Sequence, residues 1–245
     1  MSDVIAGRQP VLEALRSGRP VEQVVLLHGI KGSLTERIRT LAEKRGVRVT
    51  EVDRKQFRRF SGEATAQGVV ALVAEYSYAG IDEILAIAEG RGEPPLLMVL
   101  DEIEDPHNLG ALIRTAECAG AHGVIIPKHH SASVNQTVAK ASSGASLHLP
   151  TARVANIAQT LEDLKRRGLW IIGADIAGDR LYYDADYAGP AAIVIGSEGK
   201  GMRRLVREKC DVLVRIPLFG KVESLNASVA GALILYEAAR ARRKL

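Results

Sequence analysis

Residues 211–240 read DVLVRIPLFGKVESLNASVAGALILYEAAR. Val212, Leu213, Val214 and Ile216 make a short apolar run that stops at Pro217, which predicts a buried strand. A loop from Leu218 to Glu223 follows, with Gly220 available for a backbone conformation that other residues disfavour. Ser224 stands where an N-cap belongs, ahead of a long helix with Leu225, Val229, Leu233, Ile234, Leu235 and Tyr236 on nearly every side. Two readings stay open. The stretch is the last strand and helix of an α/β domain, or the helix also covers a subunit interface, because a helix apolar all round needs cover all round. Ser224, Asn226 and Ser228 crowd its first turn, where free backbone N–H groups can hold a ligand.

Upstream, the same strand–helix rhythm runs back to Leu96. Near-continuous apolar strands are expected at Leu96–Leu100, Gly123–Pro127, Leu169–Ala174, Ala191–Gly196 and Val212–Pro217. Leu147–Pro150 is a candidate edge strand. Helices are expected at Leu109–Ala119, Gln136–Ser142, Ile157–Arg167 and Met202–Glu208. Strands without polar alternation mark a parallel sheet covered on both faces. Residues 77–95 hold Gly80, Gly90, Gly92 and the Pro94-Pro95 pair around one short helical patch, and read as a linker. Residues 1–76 alternate strand and helix, including a basic helix RKQFRRF capped by Asp53 and broken at Gly62, and form a small α/β unit. The expected division is 1–76, 77–95 and 96–245.

Composition narrows the function classes. A 245-residue chain that is 47% hydrophobic buries a sizeable core. No apolar run reaches membrane-spanning length, and MSDVIAGRQP lacks the layout of a secretion signal, so a cytoplasmic location is expected. Cys118 and Cys210 are isolated, have no metal-ligand spacing and read as buried small hydrophobes; no metal is expected. The pair His129-His130 reads as part of a loop. Net charge is +4, and all of the excess lies in residues 1–76, which carry 13 Lys and Arg against 9 Asp and Glu. That excess is a weak pointer to nucleic acid, and the exposed-face reading of Arg54–Arg59 competes with an RNA-phosphate contact.

Ligands of open parallel sheets sit beyond the carboxyl ends of the strands. After Leu100 comes DEIEDPHNLGALIRTAECAG, with Pro106 in a turn, Asn108 just before a helix, Gly110 for close approach and Arg114 further along. After Ile195 comes GSEGKGM, with Glu198 the sole carboxylate of its turn. Neither GxxxxGK[ST] nor GxGxxG is present there, which sets aside the usual nucleotide-hydrolase and dehydrogenase loops. After Ile216 comes LFGKVESLNAS. Together the three turns outline a pocket of Arg, Glu, Asn and Ser groups.

DxxxDPxNLGxxxRTA at Asp101–Ala116, IGxEGxG at Ile195–Gly201 and IPxxGxxxSLNxSxAxxxxLYE at Ile216–Glu237 resemble, in this order, the SpoU (TrmH) family of RNA ribose 2′-O-methyltransferases. VIAGRQPVLEAL resembles the start of the substrate-binding domain, similar in fold to the ribosomal L30e/L7Ae proteins, that precedes this catalytic domain. Over its full length the chain is similar to the family's bacterial enzymes for a guanosine in the peptidyl-tRNA-binding loop of 23S rRNA. One departure bears on RNA contact: where such proteins often have His-Gln-Gly before the last N-terminal strand, this chain has Ala66-Gln67-Gly68.

The resemblance implies an α/β fold with a SPOUT-type parallel sheet, a deep trefoil knot, a homodimer with the active site at the subunit interface, and S-adenosyl-L-methionine as cofactor. It implies that Gly196, Ile216 and Leu225 line the cofactor, with Leu218 and Ser224 close by. It places Asn108, Arg114, Glu198 and Asn226 at catalytic or substrate positions. Methyl transfer to a ribose hydroxyl needs alignment of the reactants and removal of a proton. Whether Arg114 or Glu198 takes that proton is left open. A charged Arg114 stabilising the alkoxide is the physically cheaper role for a guanidinium.

Overall fold

The computed structural model describes residues 3–16, 21–61, 66–73 and 76–243. The chain folds as two compact units, Met1–Ser77 and Tyr78–Leu245. In the first, β1 (Asp3–Ala6), β2 (Val21–Leu27), β3 (Arg48–Val52) and β4 (Val69–Val73) form a sheet ordered β1-β4-β2-β3. Strand β4 runs antiparallel to β1 and β2, and β2 runs parallel to β3. Helices α1 (Arg8–Arg16) and α2 (Ser33–Lys44) pack Val11, Leu12, Leu15, Ile38 and Ala42 on the face carrying Val24, Leu26, Val69 and Ala71. The opposite face, Val25 and Val70, takes Phe57 of α3 (Arg54–Ser61) together with Ala66. Asp53 Oδ1 accepts from Gln56 N at 2.8 Å and caps α3 as expected. The expected break at Gly62 lies outside the described residues.

The second unit opens with α4 (Ile81–Arg91), so the stretch read as a linker is packed structure: Ile84 and Ala88 are buried. Then follow β5 (Leu96–Leu100), α5 (Pro106–Cys118), β6 (Gly123–Pro127), α6 (Gln136–Ala141), β7 (Thr151–Val154), α7 (Ile157–Arg166), β8 (Trp170–Ala174), β9 (Arg180–Leu181), β10 (Ala191–Ile195), α8 (Arg204–Glu208), β11 (Val212–Arg215) and α9 (Ala227–Arg243). The sheet is parallel and ordered β7-β6-β5-β10-β8-β11-β9. After reaching the edge at β9 the chain returns to the centre at β10, then inserts β11 between β8 and β9. Leu97, Val99, Ala192 and Val194 face Ile84, Leu161, Leu164 and Val206 from α4, α7 and α8. On the other face α5 and α9 meet so closely that a Cβ on Gly231 would fall 2.5 Å from Leu112 Cδ2.

Several local expectations are corrected. The edge strand is Thr151–Val154, not Leu147–Pro150, because Ala145–Leu147 turns as a 3-10 helix and the chain extends only after Pro150. Gly220 has no left-handed backbone and open space around its Cα, so nothing local demands glycine there. Cys118 is exposed at the end of α5 and Cys210 is half-buried, so neither is a fully buried hydrophobe. Burial pushes the Cys210 thiol up to about 12. Helix α9 leaves Val229, Leu233 and Tyr236 exposed along one face, while Gly231, Ile234, Leu235 and Ala238 are buried. Arg242 anchors its C-terminal turn by donating to the carbonyls of Tyr187 at 2.8 Å, Pro94 at 2.5 Å and Pro95 at 3.1 Å.

Candidate active site

The carboxyl ends of β5, β10 and β11 converge, and each sends out one of the three turns. Beyond β10 the chain closes on itself: Ser197 N donates to Gly201 O at 3.1 Å and Gly201 N to Ser197 O at 2.9 Å. A Cβ on Gly196 would lie 2.2 Å from the carbonyl carbon of Gly201, so this position admits only glycine. The turn presents Glu198 outward.

Beyond β11 the loop leads to α9, whose cap is Asn226 and not Ser224. Asn226 Oδ1 accepts from Ser228 N at 2.9 Å and Val229 N at 3.3 Å. That is N-cap geometry, and it starts the helix two residues later than the Ser224 reading requires. Its Nδ2 donates to Glu198 Oε1 and, at 3.0 Å, to Asn108 Oδ1. Asn108 Nδ2 donates to the same Glu198 oxygen at 2.9 Å, and Ala227 N does so at 3.2 Å. Three residues 28 to 118 positions apart thus share one hydrogen-bonded cluster at the start of α9. Asn108 reaches it from inside the first turn of α5, not from before it, because Asp105 is the cap, accepting from His107 N at 3.0 Å.

Two cavities flank Glu198. The larger, about 530 Å³, contains all five expected cofactor positions in its wall: Gly196, Ile216, Leu218, Ser224 and Leu225. Met202, Val214, Asp175, Arg204 and Arg207 also line it. The smaller, about 250 Å³, lies among Glu102, Glu104, Asp105, Asn108, Glu198 and Lys200. Ser197, Glu198, Lys200 and Ala227 belong to both.

Arg114 is not brought to this cluster. It is exposed, lines neither cavity and makes no hydrogen bond or ion pair among the described residues. Six helical residues separate it from Asn108, which turns it about 120° round the helix and carries it about 9 Å along the axis.

Two ion pairs at the site were not anticipated. Asp101, fully buried, accepts from Arg203 N at 2.8 Å, Nε at 2.9 Å and Nη2 at 2.6 Å, and so ties the Glu198 turn to the end of β5. Its hydrogen bonds hold the Arg203 guanidinium above the usual arginine range. Asp175 meets Arg207 at 2.8 Å on the wall of the larger cavity. Asp101 and Asp175 shared a readable signal, an acid directly after an apolar strand; Arg203 and Arg207 had none. Among the described residues no group of His, Cys, Asp and Glu is placed to hold a metal ion, and no helix is long and apolar enough to cross a membrane.

Known proteins share this arrangement. The family described as SpoU rRNA Methylase matches residues 95–236, and RNA 2′-O ribose methyltransferase substrate binding matches residues 4–79. The chain therefore belongs to the SpoU (TrmH) family of RNA 2′-O-ribose methyltransferases. It is 46% identical, over 98% of its length and 96% of the relative's, to YacO of Bacillus subtilis (strain 168), assigned to the TrmH family of tRNA/rRNA methyltransferases. Among solved structures it resembles the SpoU methyltransferase AviRb of Streptomyces viridochromogenes in complex with AdoMet. That match has a TM-score of 0.73 at 27% identity and covers 99% of this chain and 91% of that one. The AdoMet-bound rRNA methyltransferase of Sinorhizobium meliloti matches with a TM-score of 0.66 at 27% identity, over 98% of this chain and 87% of that one.

Proposed function

We propose that this enzyme uses S-adenosyl-L-methionine to methylate the 2′-hydroxyl of a guanosine in the peptidyl-tRNA-binding loop of 23S rRNA, as a cytoplasmic homodimer. The observation that carries the reading is the pair of cavities meeting at Glu198, one with the expected cofactor positions in its wall and one open to substrate. The larger cavity fits the cofactor: it has an apolar wall in Ile216, Leu225 and Met202, a glycine edge at Gly196 and a carboxylate at one end. When bound, the sulfonium supplies an electrophilic methyl group.

The chain's own residues account for the rest. Asn108 and Asn226 hold Glu198 through Oε1, leaving Oε2 without a partner among the described residues. Oε2 accepts the hydrogen bond of the incoming ribose hydroxyl and orients it, the alignment on which an in-line transfer depends. Arg114, out of reach of its own cluster, serves the site of a second copy. There its guanidinium stabilises the alkoxide that develops as the hydroxyl proton passes to Glu198 Oε2. The exposed face Val229, Leu233 and Tyr236 supplies the surface that brings two copies together. The knotted threading implied by the family fits the late insertion of β10 and β11 into a sheet already begun. In the first unit, Arg54, Lys55, Arg58 and Arg59 of α3 are exposed, and only Phe57 of that helix is buried, as suits a phosphate contact.

Titration calorimetry with S-adenosylmethionine tests the cofactor site. The parent binds, and Gly196→Ala, which drives a methyl group into the Gly201 backbone, does not. Equal affinity in that variant would move the cofactor elsewhere.

The target is the finer part of the reading. Relatives are named for both tRNA and rRNA, and a neighbour solved for methylation of C/U34 on tRNA matches over 62% of this chain. What favours the ribosomal target is extent: the rRNA methyltransferase of Sinorhizobium meliloti matches over 98% of this chain, whereas that tRNA enzyme matches over 62%.

A further inference from the structure

The loop after β6 reads Lys128-His129-His130, and all three side chains are exposed. Neither Lys128 nor His129 makes a side-chain hydrogen bond or ion pair among the described residues. The backbone beneath them is held firmly. Lys128 N donates to Val154 O at 2.8 Å, Arg153 Nη2 donates to Lys128 O at 2.9 Å, and Ala132 N donates to Ile103 O at 2.9 Å. His130, in the left-handed region at φ 56°, turns its Nδ1 to 3.6 Å from Glu104 Oε1. Glu104 and Ile103 are wall residues of the smaller cavity. A fixed loop therefore presents two free basic side chains beside the cavity that borders Asn108 and Glu198.

The charges around that cavity make the placement meaningful. Its wall carries Glu102, Glu104, Asp105 and Glu198 against one cation, Lys200. A nucleoside entering it within an RNA chain brings a phosphate on either side, and the carboxylates repel both. The backbone must leave past positive or donor groups, and Lys128 and His129 stand at that rim. We infer that the Lys128–His130 loop is an RNA-phosphate contact, holding the backbone that flanks the nucleoside in the smaller cavity. This rests on the proposed methyltransferase reading and adds to it a contact that lies outside the Met1–Ser77 unit. Such contacts set position and register and carry no base preference.

The test is the salt dependence of binding to an unmethylated 23S rRNA fragment that the parent enzyme methylates. In Lys128→Ala with His129→Ala, RNA affinity should fall about three- to tenfold, and the slope of log K against log salt should shrink by about 0.7, the share of the lost Lys128 charge. Cofactor affinity should stay unchanged. Lys128→Arg should keep both the affinity and the slope. Parental affinity and slope in the alanine variant would overturn the inference. So would a loss of affinity at constant slope, which would assign the loop a packing role. If the parent methylates no RNA at all, it is the methyltransferase reading that has failed, and this inference falls with it.

Discussion

Asn226 Oδ1 caps α9 while its Nδ2 donates to Glu198 and Asn108, so one side chain joins helix start and cluster. The two jobs separate by substitution. Serine caps a helix about as well as asparagine but has no amide to hold Glu198. Asn226→Ser should therefore keep thermal stability within about 0.5 kcal/mol of the parent, while methyl transfer falls by at least about 10²-fold. A melting scan and a single-turnover assay check both halves. Arg114→Ala should abolish transfer and leave cofactor binding intact; near-normal turnover would remove Arg114 from the mechanism. At this scale the motifs named Asn108, Glu198 and Asn226, which the structure brings together, but not how they join, and they also named Arg114, which lies away from the cluster. Ser224 and Asn226 are both capping types two positions apart, and helical periodicity does not choose between them. Which of them reaches Glu198 depends on a turn 28 residues upstream.

Helix α9 carries two faces with different fates. Ile234, Leu235 and Ala238 are buried within the chain, whereas Val229, Leu233 and Tyr236 are not. Leu233→Glu should leave the fold intact and shift the protein from dimer to monomer in sedimentation, with methyl transfer lost alongside. A parental sedimentation coefficient would refute the proposed surface. The wholly apolar strands were legible because their runs are unbroken: β5 and β6 begin and end where the residues predict. Short strands were not. Strand β9 has two residues and pairs with β11, and β1 has four, too few for any periodicity to show.

Over the whole molecule, charge and burial set the response to conditions. His122 is buried, its Nδ1 accepting from Leu96 N at 3.0 Å and its Nε2 lying 3.1 Å from Glu93. Burial lowers its pKa, so the folded protein holds it neutral while an unfolded chain takes up the proton near the ordinary value of 6.5. The stability it supports is complete above pH 6.5 and is lost as pH falls from there toward its lower folded value. The melting temperature should therefore decline as pH falls below about 6.5, and His122→Asn should flatten that decline at the cost of lower stability throughout. The basic excess of residues 1–76 lies partly on α3, and Arg58→Glu with Arg59→Glu should weaken RNA binding and flatten its salt dependence. Unchanged binding would make α3 an ordinary solvated face. The division into a basic α/β unit and a parallel-sheet unit was readable from composition and strand pattern. The path of β10 and β11 was not, because apolar strands do not announce their neighbours.

The most direct measurement is methyl transfer from labelled S-adenosylmethionine to RNA from cells lacking this enzyme, followed by mapping of the modified nucleotide. The account predicts label on the 2′-oxygen of a single guanosine in the peptidyl-tRNA-binding loop of 23S rRNA. Label confined to tRNA, or on a base atom, or no label at all, would contradict it.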